Sequence, residues 1–150
     1  MISLNFPVYN FSIKSGQKNN LIFDPIRKKY VVLTPEEWVR QHVINYLVSD
    51  KNVPKALISV EQQFESNTIT FRADIVVYNR LMNAVLLVEC KAPEVEISQT
   101  VFNQVSRYNL NFKVSYLFVT NGLKHFCAKI NFSEQKAIFL PDLPNFEELK

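Results

Sequence analysis

The chain has 150 residues, of which 47% are hydrophobic and 21% charged, and this balance predicts one folded domain rather than a disordered segment. No apolar run approaches the roughly 18 residues that span a bilayer, and the first residues lack a signal-peptide pattern, so we expect a cytoplasmic protein without membrane contact. A net charge of +3 is too mild to indicate a dedicated DNA-binding domain by itself.

The first 33 residues predict a β-hairpin extension. We expect an edge strand over residues 6–13, followed by two apolar segments that flank the turn signal Asp24-Pro25. The basic run 27–29 has two interpretations. It could contact phosphates, or it could be a solvated turn of the hairpin.

A strong helix start follows at residues 34–37. Thr34 suits the N-cap, Pro35 suits the first turn, and Glu37 suits the carboxylate of a capping box. We expect this helix to continue to about Val48. Helical spacing puts Arg40 and Gln41 on nearly the same side as Glu37, which predicts either a polar ridge that enters a functional site or a solvated face.

The most apolar part of the chain is the segment 72–93, which predicts two strands joined by a polar turn. A strand over 57–61 and the segment Phe64 to Thr70 lead into it. Asp74 stands at the start of the first apolar run, and Glu89 and Lys91 stand at the end of the second. In a hairpin these two ends lie side by side.

Strand alternation puts Glu89 and Lys91 on one face of the sheet and Cys90 on the other. Asp74 joins them only if it pairs with an odd-numbered residue near Leu87 or Glu89, because a slip of one residue would move it to the opposite face. Two carboxylates about 4 Å apart repel by roughly 4 kcal/mol at an effective dielectric of 20. Lys91 would offset part of this repulsion, and a divalent cation would offset more.

The second half of the chain predicts another helix and three strands. Ser98 suits the N-cap of a helix over about 98–111, on which Gln104 and Tyr108 share a face. Strands are expected over 114–120, 125–132 and 136–140. The predicted fold class is α/β (α+β), a central mixed sheet flanked by helices in the order α-β-β-β-α-β-β.

The two cysteines and two histidines of the chain argue against a disulfide-stabilised fold and against a zinc site. Cys90 and Cys127 do not form a disulfide framework, and His42 and His125 do not complete a zinc-binding spacing. Cys90 could be a nucleophile or a small buried strand residue. The second interpretation is favoured because no histidine is placed to activate the thiol.

The arrangement Asp74…Glu89-Cys90-Lys91 resembles the PD-(D/E)xK nuclease superfamily. The segments LTPEEWVRQH, RADIVVYN, LLVECKAP, QVSRYN and YLFVTNG are similar to the N-terminal nuclease domain of type I restriction enzyme R subunits, in its short free-standing form. This resemblance implies a restriction-endonuclease-like core over residues 34–143 of a single nuclease-like domain, 1–150, with the hairpin extension 1–33 and a tail 144–150.

The resemblance also implies roles for individual residues. Asp74, Glu89 and the Cys90 carbonyl would hold Mg²⁺ or Mn²⁺, and Lys91 would orient or deprotonate the attacking water or bind the scissile phosphate. Glu37 has two interpretations, a residue that faces the active site or only a helix cap. The supporting or nucleic-acid-binding residues are expected to be Gln104, Tyr108, Arg40 and Gln41.

The implied activity is that of a metal-dependent DNA endonuclease of the restriction type. DNA is the expected partner, with a separate motor or specificity subunit and a homodimer as further expectations. Gly16 and Gly122 are too far apart to form a glycine-rich phosphate loop, so we expect any motor on another polypeptide. The alternative is a catalytically silent module that binds nucleic acid or a partner in a restriction or repair system.

Overall fold

The computed structural model describes residues 1–66 and 68–150, which form two β-sheets and two α-helices. In chain order the elements are β1 (Ile13–Ser15), β2 (Asn20–Asp24), β3 (Lys29–Val32), α1 (Pro35–Asn45), β4 (Ile58–Ser66), β5 (Ile69–Tyr78), β6 (Ala84–Cys90), α2 (Gln99–Phe112), β7 (Tyr116–Thr120), β8 (His125–Asn131) and β9 (Lys136–Leu140).

The larger sheet has the strand order β4-β5-β6-β7-β8-β9. β6 and β7 are parallel and joined through α2, whereas the other neighbours are antiparallel. A parallel pair needs such a crossover connection, since a tight turn can only reverse the chain. The mixed sheet and the order α-β-β-β-α-β-β are confirmed, and β9, the strand expected over 136–140, follows this core order at the edge of the sheet.

Each face of this sheet is covered by one helix. On one face α1 packs Val39 and Val43 against a layer that includes Ile75. On the other face α2 packs Phe102 and Val105 against a layer that includes Leu87. Burying each such side chain contributes about 1.5–3 kcal/mol, so the two helices are fixed relative to the strands between them.

α1 begins as the sequence predicts and ends earlier. The Thr34 hydroxyl accepts a 3.0 Å hydrogen bond from the backbone amide of Glu37, as expected of an N-cap. The α-helix ends at Asn45 and continues as a π-helical turn over 46–50 rather than as α-helix to Val48. Within the described part of the chain, neither helix has the length and apolar character to cross a membrane.

The N-terminal extension is a three-stranded sheet, β1-β2-β3, rather than a hairpin alone. The strand predicted over 6–13 is wrong, because β1 begins at Ile13 and the preceding residues pack by their aromatic rings against α1. The ring of Phe11 lies 4.7 Å from that of His42 and 4.9 Å from that of Trp38.

The β4–β5 hairpin is longer than the sequence suggests. β5 begins at Ile69, so Asp74 lies inside a strand and not at its start. Phe71 pairs with Phe64 across the hairpin, and both rings contact Phe112 of α2, which explains the extra length. Asn67, within the segment predicted from Phe64 to Thr70, lies outside the described residues.

The last residues of the chain belong to the core. Phe146 and Leu149, within the expected tail 144–150, are 5% and 4% exposed and pack with the layer beneath α1. A short 3₁₀ turn, Phe146–Glu148, turns them inward. The segment therefore closes the end of the core.

Candidate active site

β5 and β6 separate beside Asp74 and Glu89. The strands pair Val76 with Leu87 and Ile75 with Val88, and this ladder ends one residue before Asp74 and Glu89. The expected pairing of Asp74 with an odd-numbered residue lies just beyond this ladder and stays a prediction. At this point the backbone amide of Cys90 donates a 2.7 Å hydrogen bond to Oδ2 of Asp74, so a side chain continues the link between the two strands.

Glu89 is a half-buried carboxylate whose charge is poorly compensated. Its Oε1 lies 3.3 Å from Nζ of Lys91, while its Oε2 is buried without a hydrogen-bond partner. Burial and the charge of Asp74 raise the pKa of Glu89 to about 8, although Lys91 acts in the opposite direction. At neutral pH the Asp74–Glu89 pair therefore retains a proton on Glu89.

Glu89 and Lys91 open into a cleft against α2. The cleft has a volume of about 80 Å³ and is also lined by Gln104, Tyr108 and Phe71. The ring of Tyr108 stacks on that of Phe71 with a centroid distance of 4.8 Å and an interplanar angle of 17°. Gln104 and Tyr108 thus lie on one face of α2 beside the Glu-x-Lys pair, as the resemblance implies.

Arg40 enters the site from the other face of the sheet. Its side chain is 7% exposed, and its guanidinium contacts Glu36 at 2.9 Å, Glu37 at 2.7 Å and Oδ1 of Asp74 at 2.7 Å. Charge-assisted hydrogen bonds of this length are roughly twice as strong as neutral ones. Of the two interpretations of this side of α1, the polar ridge that enters the site is the observed one.

Glu37 is part of the same buried network. The Thr34 half of the capping box is present, but the Glu37 carboxylate contacts Arg40, Arg27 and, over 3.1 Å, Gln41. Arg40 therefore bridges Glu37 to Asp74. The structure places Glu37 behind Asp74, one side chain removed from the Asp74–Glu89 pair.

Asp24 and Arg27, from the N-terminal extension, complete this buried network. The sequence does not predict that they contact residues of α1. Asp24 is fully buried and accepts from Arg27 at 2.6 Å and from Gln41 at 3.0 Å. Its Oδ1 also accepts from the backbone amides of Ile26 and Arg27, which is the turn that Asp24-Pro25 indicates. Nothing in the sequence shows that this turn is buried against α1.

The basic run 27–29 has one ion-paired residue and two exposed residues. Arg27 is ion-paired with Asp24 and, over 2.8 Å, with Glu37, whereas Lys28 and Lys29 are exposed. The description of a solvated turn therefore applies to the two lysines. Arg27 holds the extension to α1.

The thiol of Cys90 is buried on the α1 face of the sheet. Burial and the charge of Asp74 raise its pKa well above the ordinary value, so the reactive thiolate is disfavoured. This supports the interpretation of Cys90 as a small buried strand residue. Only its backbone carbonyl is a candidate metal ligand.

A divalent cation fits the donor set at one position. The described residues contain no group of three or more His, Cys, Asp or Glu side chains placed to hold a metal ion, so a cation would need main-chain or water ligands beside Asp74 and Glu89. The unsatisfied Oε2 of Glu89 is an oxygen ligand without a partner. Mg²⁺ commonly binds through one or two carboxylates and retains several waters, so the donors suit it.

A mixed sheet between two helices, with an aspartate on one strand and Glu-x-Lys at the end of the next, defines a restriction-endonuclease-like fold. A family model described as type I restriction enzyme R protein N terminus (HSDR_N) matches residues 35–144. The chain therefore belongs to this family.

A solved structure supports the fold. The chain superposes with a TM-score of 0.55 and 18% identity on a fragment assigned to the HsdR subunit of a type I restriction enzyme from Vibrio vulnificus YJ016, over 78% of this chain and 24% of that one. The chain thus spans about a quarter of the length of that relative. No curated protein matches the chain.

Proposed function

We propose that this protein is a metal-dependent nuclease that hydrolyses phosphodiester bonds of DNA by a PD-(D/E)xK mechanism. The observation that carries the proposal is the meeting of Asp74 and Glu89 beside Lys91 at the rim of a cleft. A strand pair stabilised only by apolar contacts has no need of two adjacent carboxylates. Their repulsion is understandable if the pair is used to hold a cation.

Mg²⁺ or Mn²⁺, held by Asp74, Glu89 and the Cys90 carbonyl, would activate a bound water and neutralise charge on the phosphate oxygens. Asp74 is suited to this role because the Cys90 amide and Arg40 fix both of its oxygens in place. Glu89 is suited because its Oε2 has no competing protein partner. Loss of the Glu89 proton accompanies its use as a ligand.

Lys91 would handle the attacking water or the scissile phosphate. Its ammonium lies 3.3 Å from Glu89 and its side chain is 35% exposed, so Lys91 is positioned by the carboxylate and lines the cleft. In the positively charged form it can bind a phosphate oxygen. In the neutral form it can accept the proton of the water.

The residues of α2 would position the substrate. Gln104 is exposed at the cleft and carries an amide that can donate to a phosphate oxygen or to the water, or accept from Lys91. Tyr108 is held against Phe71 by stacking and forms the wall of the cleft. Glu37 would act through Arg40 on Asp74, as a positioning residue and not as a ligand.

DNA is the proposed substrate, and the partners follow from the family. We propose that the chain acts with a motor or specificity subunit, because its relatives belong to type I restriction enzymes. The homodimer and the cytoplasmic location remain predictions from the sequence. Sedimentation of the purified chain would test the first of these.

The decisive assay is nicking of supercoiled plasmid DNA with Mg²⁺ or Mn²⁺. Wild type is compared with Lys91→Ala and with Lys136→Ala, which removes an exposed lysine from the opposite end of the sheet. Metal-dependent nicking by wild type and Lys136→Ala, lost in Lys91→Ala, supports the mechanism. Equal nicking by all three proteins would remove it.

A catalytically silent binding module is the second candidate, favoured by one observation. Arg40 already pairs with Asp74, so Asp74 has a structural partner without any metal. In that case added Mn²⁺ would leave the melting temperature unchanged and no nicking would occur. A nuclease site should instead gain about 2.7 kcal/mol of stability at a metal concentration 100 times Kd.

A further inference from the structure

Asp74 lies between Glu89 on one side and two glutamates of α1, Glu36 and Glu37, on the other. On the β6 side it adjoins Glu89, whose Oε2 has no partner. On the α1 side it faces Glu37 and Glu36, and the space between them contains the guanidinium of Arg40. The two sides therefore differ in whether a positive charge is already present.

Arg40 contacts Asp74 and both glutamates at the start of α1. Its Nη1 lies 2.7 Å from Glu37, and its Nη2 lies 2.9 Å from Glu36 and 2.7 Å from Asp74. A divalent ion that bridged Asp74 and Glu37 would need the same oxygens, at ligand distances near 2.0–2.1 Å for Mg²⁺. Guanidinium and ion cannot both occupy that gap.

Arg40 is a permanent cation in this position. An arginine guanidinium stays protonated in proteins, and here it donates to the carboxylates of Glu37, Glu36 and Asp74. Displacing the side chain would also leave Glu37, which is 5% exposed, without this partner. Removing one partner of a buried ion pair leaves an uncompensated buried charge, so the fold opposes an incoming ion at this position.

We propose that the site binds a single divalent cation, between Asp74 and Glu89, and that Arg40 occupies the position beside Glu37 where a second cation would have to bind. This inference rests on the proposed function, which supplies the first cation. In this proposal Arg40 is the permanent positive charge on the α1 side of Asp74, and its hydrogen bond to Oδ1 holds the Asp74 carboxylate in place. Two-metal nucleases place their ions about 3.5–4 Å apart, and here the Asp74–Glu37 gap holds a side chain instead.

The test is the stoichiometry of Mn²⁺ bound to the full chain, measured by titration calorimetry and by electron paramagnetic resonance. Wild type should bind one ion per chain, with the spectrum of an isolated Mn²⁺. Arg40→Gln should bind two, with the dipolar splitting of a close pair. The matched control Arg80→Gln, which removes an arginine that is 68% exposed, should bind one.

The outcomes separate the two proposals. Two ions per wild-type chain, or one ion in folded Arg40→Gln, would overturn this inference and leave the nuclease proposal standing. No ion in wild type would remove the nuclease proposal itself. If Arg40→Gln does not fold, the wild-type count still decides, because one ion supports the inference and two overturn it.

Discussion

Arg27 and Arg40 donate to the same oxygen of Glu37, Oε1, over distances of 2.8 Å and 2.7 Å. Arg27 belongs to the turn between β2 and β3, whereas Arg40 reaches Asp74 on β5. One buried carboxylate therefore connects the N-terminal sheet to the candidate site. The extension is part of the structure that holds Asp74 and not an independent appendage.

This connection predicts that Arg27→Ala destabilises the fold. The change leaves Asp24 and Glu37 buried without one of their cations, and because Arg27 is itself 17% exposed we expect a loss of about 1–3 kcal/mol. Urea unfolding would measure it. Lys28→Ala, next to it but exposed, should stay within about 0.5 kcal/mol of wild type. Equal values for the two variants would contradict the connection.

The raised pKa of Glu89, about 8, predicts a stability that falls with rising pH. Between the ordinary glutamate pKa, about 4.3, and this value, the folded protein binds a proton that the unfolded chain has released, so the free energy of unfolding decreases by up to about 1.4 kcal/mol per pH unit. Glu89→Gln removes this pH-dependent contribution to the free energy of unfolding. The free energy of unfolding of wild type minus that of Glu89→Gln should therefore fall as the pH rises from about 4.3 to about 8.

The comparison is cleanest above pH 6.5. Burial lowers the pKa values of His42 and His125, so these residues make the fold more stable as the pH rises to the pKa of a free histidine. Wild type and Glu89→Gln both contain these histidines, so the histidine contribution cancels in the difference between the two proteins and the contribution of Glu89 remains. A wild-type curve parallel to that of Glu89→Gln from pH 6.5 to 8 would show that Glu89 has an ordinary pKa.

Asp74→Asn should lower the pKa of Glu89 below about 8, because the charge of Asp74 is the second cause of the shift after burial. The carboxyl carbon resonance of Glu89, followed by NMR as a function of pH, reports this directly. Asp142→Asn removes a carboxylate that is 57% exposed and paired with Lys51, and it should leave the resonance unchanged. An identical titration in both variants would mean that Asp74 and Glu89 do not interact.

The sheet and the pairing of β5 with β6 could be predicted because they depend on local pattern. β-branched runs separated by polar turns identify β5 and β6, and strand alternation then fixes which side chains share a face. The same logic on α2 placed Gln104 and Tyr108 together.

The buried network could not be predicted, because it depends on contacts between distant segments. Asp24 and Glu37 each have a sufficient local explanation, as a turn residue and as a helix cap. Only the packing of the N-terminal sheet on α1 shows that both carboxylates are buried and need arginine partners. For the same reason the sequence does not show that Arg40 pairs directly with Asp74.

Replacing Gln104 tests the cleft without disturbing the core. The residue is exposed on α2 and lines the cleft with Lys91, so Gln104→Ala should leave stability within about 0.5 kcal/mol. If its amide holds the phosphate, the water or Lys91, the nicking rate should fall at least about tenfold, equivalent to 1.4 kcal/mol.

The control is Asn103→Ala, which removes an exposed amide next to Gln104 that pairs with Gln99. Nicking by Gln104→Ala as fast as by Asn103→Ala would exclude Gln104 from the site, because both variants lose an amide from the same helix and only one of the two amides faces the cleft.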